Sequence, residues 1–165
     1  WPATTRRAAP YAWDPAISFL RNKGLDVELK KFVESGRPFL GICLGAQLLH
    51  TSSEEGSLPG LNWIPGKVVK FQLKNPALKV PHMGWNSLKV KKKAPILAGL
   101  PDPAFVYFVH SYYFAPDDPR YVATTTEYET EFASAVWKDN ILGTQFHPEK
   151  SGEVGRKILE NFLSL

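Results

Sequence analysis

The feature that most constrains the fold is the stretch at residues 38–49, Pro-Phe-Leu-Gly-Ile-Cys-Leu-Gly-Ala-Gln-Leu-Leu. A short apolar run passes through Gly-x-Cys-x-Gly and continues with apolar residues at helical spacing. It therefore predicts a buried strand, a sharp turn and a helix. Gly41 and Gly45 would allow the strand and the helix to pack closely, so that the turn can hold Cys43 in a strained conformation. This arrangement is a nucleophile elbow with sulfur in place of oxygen.

Cys43 is predicted to lie at the N-terminus of the elbow helix. Unpaired N–H groups at that position favour the thiolate, so we expect a lowered thiol pKa and alkylation near neutral pH. The alternative is a buried, unreactive cysteine beside two turn glycines, because free cysteine is among the residue types most often buried. A second motif favours the reactive interpretation.

This second motif follows an apolar strand predicted at residues 141–146, which delivers His147 and Glu149 to a loop restrained by Pro148. In an open α/β sheet the carboxyl ends of the strands line one crevice, so these side chains and Cys43 are expected to meet there. Chemistry then assigns their roles: Cys43 attacks a carbonyl, His147 takes and returns a proton, and Glu149 orients the imidazole. Singly, His147 is typical of a loop histidine and Glu149 of a solvated charge. Together with Cys43 they predict a catalytic triad.

The two motifs, Gly-Ile-Cys-Leu-Gly with Gln47 and Gln-Phe-His-Pro-Glu at residues 145–149, resemble those of class I (triad) glutamine amidotransferases. Residues 60–66, 80–86 and 107–113 further resemble the glutaminase subunits of imidazole glycerol phosphate synthases, which act in histidine biosynthesis. The resemblance covers the chain from Trp13 to Leu165. It implies an α/β, flavodoxin-like layered fold with added antiparallel strands, and no cofactor.

The same resemblance implies an activity and a partner. The activity is hydrolysis of L-glutamine to glutamate and ammonia. The ammonia would pass to a cyclase subunit, a (β/α)8 barrel, which makes imidazole glycerol phosphate and AICAR. Two alternatives stay open: a catalytically impaired fragment or non-catalytic interaction subunit of the same complex, and the glutaminase of another amidotransferase such as anthranilate synthase.

Substrate-binding residues are predicted on both sides of the crevice. Gln47 lies one helical turn beyond Cys43 on the same face, and Ser111 and Tyr112 follow a predicted strand. Ordinary local hydrogen bonding is the alternative for each of these side chains. In the resembling family the matching positions contact bound glutamine. The N–H of Leu44, directly after the nucleophile, is predicted to donate to the oxyanion.

The N-terminal residues 1–12 depart from the family pattern and are interpreted as a divergent segment before an amidotransferase domain at residues 13–165. Family members take a second oxyanion donor from a Pro-Gly-Val-Gly loop. The best alignment places Ala9, Pro10 and Tyr11 at that loop, and proline has no N–H. We therefore expect an N-terminally incomplete or divergent member that lacks one donor and hydrolyses glutamine poorly.

A partner interface is predicted in the run Pro81, His82, Met83, Gly84, Trp85 and Asn86, where bulky amphipathic side chains surround one glycine. Tryptophan and methionine are enriched at partner surfaces. The alternative is a buried corner where a β layer meets the α/β core. In the family the matching segment faces the cyclase, which makes Trp85 the expected anchor.

Composition limits the remaining possibilities. The 165 residues, 44% of them hydrophobic, suit one domain with one core. The net charge of +4 includes a lysine run at residues 89–93 that lacks interleaved aromatics. We interpret this run as a solvated strand end and predict no nucleic-acid partner. No apolar run is long enough to span a membrane. One cysteine and four scattered histidines predict no disulfide and no metal site, and favour the reducing cytoplasm.

Local patterns predict the remaining elements. One helix is expected to begin at Asp14 as its cap and to end at Gly24, and a second to run from Asp26 to Gly36 with an apolar face. The elbow helix is expected to end near residues 51–53. Strands are predicted at residues 67–71, 88–90, 105–109, 121–126 and 132–137, and a final helix at Gly152–Leu163.

Overall fold

The computed structural model describes residues 12–165, and the predictions for Ala9, Pro10 and Tyr11 lie outside these described residues. Four α-helices lie within this range: α1 (Trp13–Asn22), α2 (Leu25–Glu34), α3 (Leu44–Gln47) and α4 (Gly152–Leu163). The strands are β1 (Phe39–Ile42), β2 (Ser52–Ser53), β3 (Gly66–Lys70), β4 (His82–Val90), β5 (Ala104–His110), β6 (Tyr112–Pro116), β7 (Val122–Tyr128), β8 (Thr130–Lys138) and β9 (Ile141–Thr144).

The main sheet has six strands in the order β1, β9, β8, β7, β4, β5. Among the described strands of this sheet, β1 and β9 are the parallel pair, in which Phe39 lies opposite Ile141 and Ile42 opposite Thr144. Because both strands run in the same direction, their carboxyl ends meet at one edge of the sheet. The antiparallel strands predicted from the sequence form the rest of it. A smaller sheet contains β2, β3 and β6.

Strand β4 differs from its prediction. The sequence predicts a short strand at residues 88–90, but the strand begins at His82. Backbone pairing extends it, because residues 82–88 lie antiparallel to β5 from His110 back to Ala104. The later part of β4 pairs with β7. Strand β6 was not predicted at all. It pairs with β3.

Helices α1 and α2 also depart from expectation. Ala12 is the N-cap of α1, and Asp14 lies in the first turn, where its carboxylate accepts the N–H groups of Ser57 and Leu58 at 3.0 Å. Asp14 therefore anchors a loop and does not cap the helix. Within the described chain, no residue of α2 is buried, and Leu25 of its predicted apolar face is 39% exposed.

The elbow helix α3 ends at Gln47, earlier than predicted. A neighbouring loop takes the carbonyls that a longer helix would use: Leu61 N–H donates to Leu48 O, and Trp63 N–H donates to Leu49 O, both at 2.9 Å. Backbone groups need partners when buried, and here the loop supplies them in place of another helical turn.

Two clusters of buried side chains form the core. One packs against α4 and contains mainly aromatic and aliphatic residues, among them Phe71, Phe108, Phe132, Phe146 and Ile158. The other surrounds the elbow and α1 and includes Trp13, Ile17, Leu49, Phe114 and Val136. Of the aromatic residues on the strands, Phe108, Phe114 and Phe132 are buried in these clusters. None of the helices in the described range is long and apolar enough to cross a membrane.

Candidate active site

The elbow has the strained backbone that its glycines predict. Cys43 adopts φ 49° and ψ −107°, a conformation that non-glycine residues rarely populate. A Cβ at Gly41 would lie 2.7 Å from the carbonyl oxygen of Gly45, so the strand and the helix can approach closely only with glycine at that position. A Cβ at Gly45 would meet nothing within 4 Å. The prediction of close packing therefore holds for Gly41 and is wrong for Gly45.

The pairing of β1 with β9 places His147 beside the elbow. The N–H of Cys43 donates to the carbonyl of Thr144 at 2.7 Å, at the end of the β1/β9 pair. His147 follows in the loop, and its main-chain N–H donates to Tyr107 O at 2.9 Å. The carboxyl ends of the two parallel strands therefore bring Cys43 and His147 to the same sheet edge.

His147 and Glu149 form a close pair, with Nδ1 and Oε1 2.6 Å apart. A carboxylate accepts hydrogen bonds, so Nδ1 carries the hydrogen and the Nε2 of a neutral imidazole keeps a lone pair. Glu149 is exposed and His147 half-buried. This is the orientation that a general base needs.

Cys43 contacts a different side chain. Among the described residues, no hydrogen bond joins Sγ to His147, while Gln145 Nε2 lies 3.7 Å from Sγ. Gln145 is fully buried and directly follows β9. We assigned it no role from the sequence, although a polar residue that closes an apolar strand beside His147 was a usable signal.

Burial raises the pKa of the Cys43 thiol to about 11. The negative charge of Glu149 raises it further, and hydrogen bonds from Leu44 N–H and the Gln145 side chain lower it. The expected low pKa is therefore wrong. Cys43 is half-buried, and helix α3 has only four residues, so its N-terminal N–H groups do not offset the desolvation of the thiolate.

Of the predicted substrate residues, Gln47 is buried on the elbow helix and contacts Tyr112. Gln47 Nε2 donates to the carbonyl of Tyr112 at 2.9 Å and to Gln145 Oε1 at 3.2 Å. Ser111 is half-buried between β5 and β6, and its carbonyl accepts the N–H of Phe71 at 3.1 Å. The structure thus brings Gln47, Tyr112 and Gln145 into one hydrogen-bonded group.

The predicted oxyanion donors divide between described and undescribed residues. Leu44 N–H, directly after the nucleophile, is close enough to the Cys43 thiol to lower its pKa. The second donor was predicted to be missing at Ala9–Tyr11, outside the described range.

The predicted interface residues are only partly on the surface. Met83 is 61% and Trp85 57% exposed. Pro81 is exposed, and Gly84 and Asn86 are half-buried. His82, which the sequence placed on the partner surface, is instead 3% exposed, because its side chain turns into the aromatic core and stacks on Tyr128.

Other features of the described region do not compete with this site. A cavity of about 400 Å³ is lined by Lys91, Pro119, Val122, Thr125, Glu131, Phe132 and Ala133, and contains none of the predicted site residues. Within residues 12–165, no group of three or more His, Cys, Asp or Glu side chains is placed to hold a metal ion.

Comparison with known sequences gives consistent matches. The profile of the family described as glutamine amidotransferase class-I matches residues 22–165. The chain is 58% identical to imidazole glycerol phosphate synthase subunit HisH of Syntrophotalea carbinolica, over 80% of this chain and 66% of that protein. It is 52% identical to the subunit HisH of Geobacter sulfurreducens, over 87% of this chain and 71% of that protein. The chain thus spans about two thirds of these relatives.

Solved structures support the fold. A glutamine amidotransferase from Thermotoga maritima matches 96% of this chain and 59% of its own, with a TM-score of 0.62 and 18% identity. A second structure, also described as a glutamine amidotransferase, matches 87% of this chain and 70% of its own, with a TM-score of 0.62 and 22% identity. Both similarities concern the mixed α/β architecture.

Proposed function

The chain belongs to the class I glutamine amidotransferase family, and on that premise we propose that it hydrolyses L-glutamine to glutamate and ammonia with Cys43, His147 and Glu149. The observation that carries this proposal is the meeting of the strained elbow with the His147–Glu149 pair at the ends of two parallel strands. A buried elbow cysteine alone would not support it.

In the first half-reaction Cys43 Sγ attacks the side-chain amide carbon of glutamine. Because the thiol pKa is raised, the proton leaves as the C–S bond forms, and His147 Nε2 receives it. Glu149 accepts the Nδ1–H and stabilises the imidazolium. The tetrahedral intermediate then collapses, its C–N bond breaks, and His147 protonates the departing ammonia. A γ-glutamyl thioester remains on Cys43.

In the second half-reaction a water molecule attacks the thioester carbon. His147 takes the proton of this water, and the C–S bond breaks to release glutamate. The proton then returns to sulfur, which restores the Cys43 thiol. Leu44 N–H supplies one oxyanion donor. The sequence predicts no second donor at Ala9, Pro10 and Tyr11, and removing one donor typically costs about a hundredfold to a thousandfold in turnover, so we expect slow hydrolysis.

The substrate's charged end needs polar partners beside the elbow. Gln47, Ser111 and Tyr112 are proposed to bind the amino acid portion of glutamine, with Gln47 acting mainly through the Tyr112 carbonyl that its buried side chain holds. Their backbone and side-chain dipoles suit an ammonium and a carboxylate group.

The proposed partner is the cyclase subunit of an imidazole glycerol phosphate synthase. Two observations support it: the relatives above are HisH subunits of that enzyme, and Met83 and Trp85 project from β4 into solvent. Exposed tryptophan and methionine are typical interface anchors. A non-catalytic interaction subunit is the second candidate, favoured by the missing oxyanion donor predicted from the sequence.

Glutamate release with the cyclase present separates these candidates. We expect slow turnover by the unmodified chain and a further loss of about a hundredfold or more in His147→Ala. Lys157→Ala, at an exposed position on α4, is a matched control and should keep the unmodified rate. Equal glutamate release by the unmodified chain and His147→Ala would favour the non-catalytic subunit.

A further inference from the structure

Two buried histidines form a pair behind the candidate active site. His82 is 3% and His110 5% exposed, and Nδ1 of His82 lies 3.0 Å from Nε2 of His110. The His82 ring stacks on Tyr128 with centroids 4.0 Å apart and on Phe108 at 4.8 Å. The proposed catalytic mechanism uses neither histidine.

The direction of each hydrogen bond in this pair is fixed by one carbonyl. His110 Nδ1 lies 2.8 Å from the carbonyl oxygen of Tyr112, which can only accept, so His110 carries its hydrogen on Nδ1. Burial keeps both rings neutral, since it lowers the pKa of His82 to about 4 and that of His110 to about 3. His110 Nε2 is therefore an acceptor, and His82 Nδ1–H donates to it.

The hydrogen position on His82 also determines its contact with Asn86. With its hydrogen on Nδ1, His82 has a lone pair on Nε2, which lies 3.4 Å from Asn86 Nδ2. The Asn86 amide is itself oriented, because Nδ2 donates to Glu127 O at 2.9 Å and Oδ1 accepts Ser87 N–H at 2.8 Å. This end of the network lies on β4, next to Trp85.

The Tyr112 carbonyl also fixes the direction of the hydrogen bonds that Gln47 and Gln145 make. It accepts Gln47 Nε2 at 2.9 Å, which makes Gln47 a donor to Gln145 Oε1 at 3.2 Å. Gln145 must then present Nε2, its donor end, to Cys43 Sγ. With the opposite orientation, Gln145 would turn a carbonyl oxygen toward sulfur and disfavour the thiolate.

We propose that His82 and His110 are positioning residues that hold the Tyr112 carbonyl and, through Gln47, orient Gln145 as an N–H donor to the nucleophilic sulfur. The inference rests on the proposed function of Cys43 as that nucleophile. It extends the site from the elbow to the start of β4. It also gives a reason for two buried histidines in an aromatic core, where phenylalanine would pack without a polar group.

The first test is spectroscopic and needs no turnover. In the ¹⁵N-histidine-labelled chain at neutral pH, two-bond ¹H–¹⁵N correlations should show His82 and His110 as neutral Nδ1–H tautomers, with signals assigned by His82→Phe and His110→Phe. An Nε2–H tautomer at either residue reverses the bond directions and overturns the proposal.

The second test measures the ionisation of Cys43, the chain's single cysteine. His82→Phe keeps the ring stacking but removes the donor to His110, whereas His82→Asn keeps an N–H near the position of Nδ1. We expect the pH midpoint of iodoacetamide labelling to rise by about half a unit or more in His82→Phe. We expect it to return to the unmodified value in His82→Asn. Gln145→Met, which removes the donor itself, should raise the midpoint at least as far.

Thermal unfolding at neutral pH shows which variants are folded. If no variant is folded, the tautomer measurement alone tests the proposal. An unchanged midpoint in folded His82→Phe, together with a shift in Gln145→Met, would overturn the proposal. The proposed function fails by a different observation: no glutamate is released by the unmodified chain with its cyclase, whatever the labelling midpoints are.

Discussion

The main-chain N–H of His147 donates to the carbonyl of Tyr107 at 2.9 Å, so the candidate general base is tied to β5. Tyr107 lies opposite Trp85 in the β4/β5 pair, and the two rings meet edge to face with centroids 6.1 Å apart. The proposed partner anchor and the candidate base are thus held by the same pair of strands. A change in that pair would act on both.

Close packing at the elbow predicts that alanine substitutions at its two glycines differ greatly in their effect on stability. Gly41→Ala places a Cβ 2.7 Å from backbone at Gly45 and should destabilise the chain by about 3 kcal/mol or more. Gly45→Ala meets nothing within 4 Å and lies in a helix, so its effect should be neutral or stabilising by up to about 1 kcal/mol. Urea unfolding measures both changes. Equal stabilities of the two variants would contradict this account of the elbow.

The raised thiol pKa predicts slow labelling of Cys43 at neutral pH. Iodoacetamide should react with the native chain with a midpoint near pH 11, compared with about 9.0 for the denatured chain. The folded pKa lies above the unfolded value, so the thiol's contribution to stability is complete below pH 9 and is lost as the pH rises toward 11. Faster labelling of the native than of the denatured chain at pH 7 would contradict the dominance of burial.

Three buried histidines predict sensitivity to acid. Burial lowers the pKa of His50 and of His82 to about 4, and that of His110 to about 3. Their folded pKa values lie below the unfolded 6.5, so stability is complete above pH 6.5 and is lost as the pH falls. Each group contributes up to about 1.4 kcal/mol per pH unit.

Urea unfolding at several pH values between 7 and 4 tests this dependence. His82→Phe removes one of the three groups, so its stability should fall less steeply with decreasing pH than that of the unmodified chain. A free energy of unfolding that stays constant between pH 6.5 and 4.5 would rule out neutral burial of these histidines.

Exposure along β4 predicts which side chain anchors the partner. Trp85→Ala should weaken binding to a cognate cyclase by about 2 kcal/mol or more, as expected for a buried aromatic anchor. Val90 is similarly exposed at 56% but lies at the far end of the strand, so Val90→Ala is the matched control and should change the affinity little. Calorimetric titration measures both. Equal effects of the two variants would move the interface away from residues 81–86.

Local patterns predicted the elbow strand and the α4 boundaries, and the resemblance of two motifs predicted the family; the family and its mixed α/β fold are confirmed. These features depend on periodicity and on short motifs whose residues are close in the chain. The short α3 was not predictable from its own residues, because the loop that takes the Leu48 and Leu49 carbonyls lies about a dozen residues further on.

The pKa of Cys43 and the burial of His82 depend on tertiary packing, and the sequence predicted both wrongly. The sequence identified Cys43 at a helix start but not how far the surrounding residues desolvate its thiol, which reverses the expected direction of the pKa shift. It likewise placed His82 on the surface, since the strand that pairs it with His110 extends further than its apolar pattern indicates. The triad roles themselves remain predictions.

Detection of the covalent intermediate tests the central claim most directly. The chain mixed with its cyclase, the cyclase substrate and L-glutamine, then quenched in acid, should yield a peptide with one γ-glutamyl group on Cys43 by mass spectrometry. Slowed deacylation in Glu149→Gln should increase its amount. If glutamate is released while neither the unmodified chain nor Glu149→Gln carries a γ-glutamyl group on Cys43, another nucleophile performs the reaction and this account of the site is wrong.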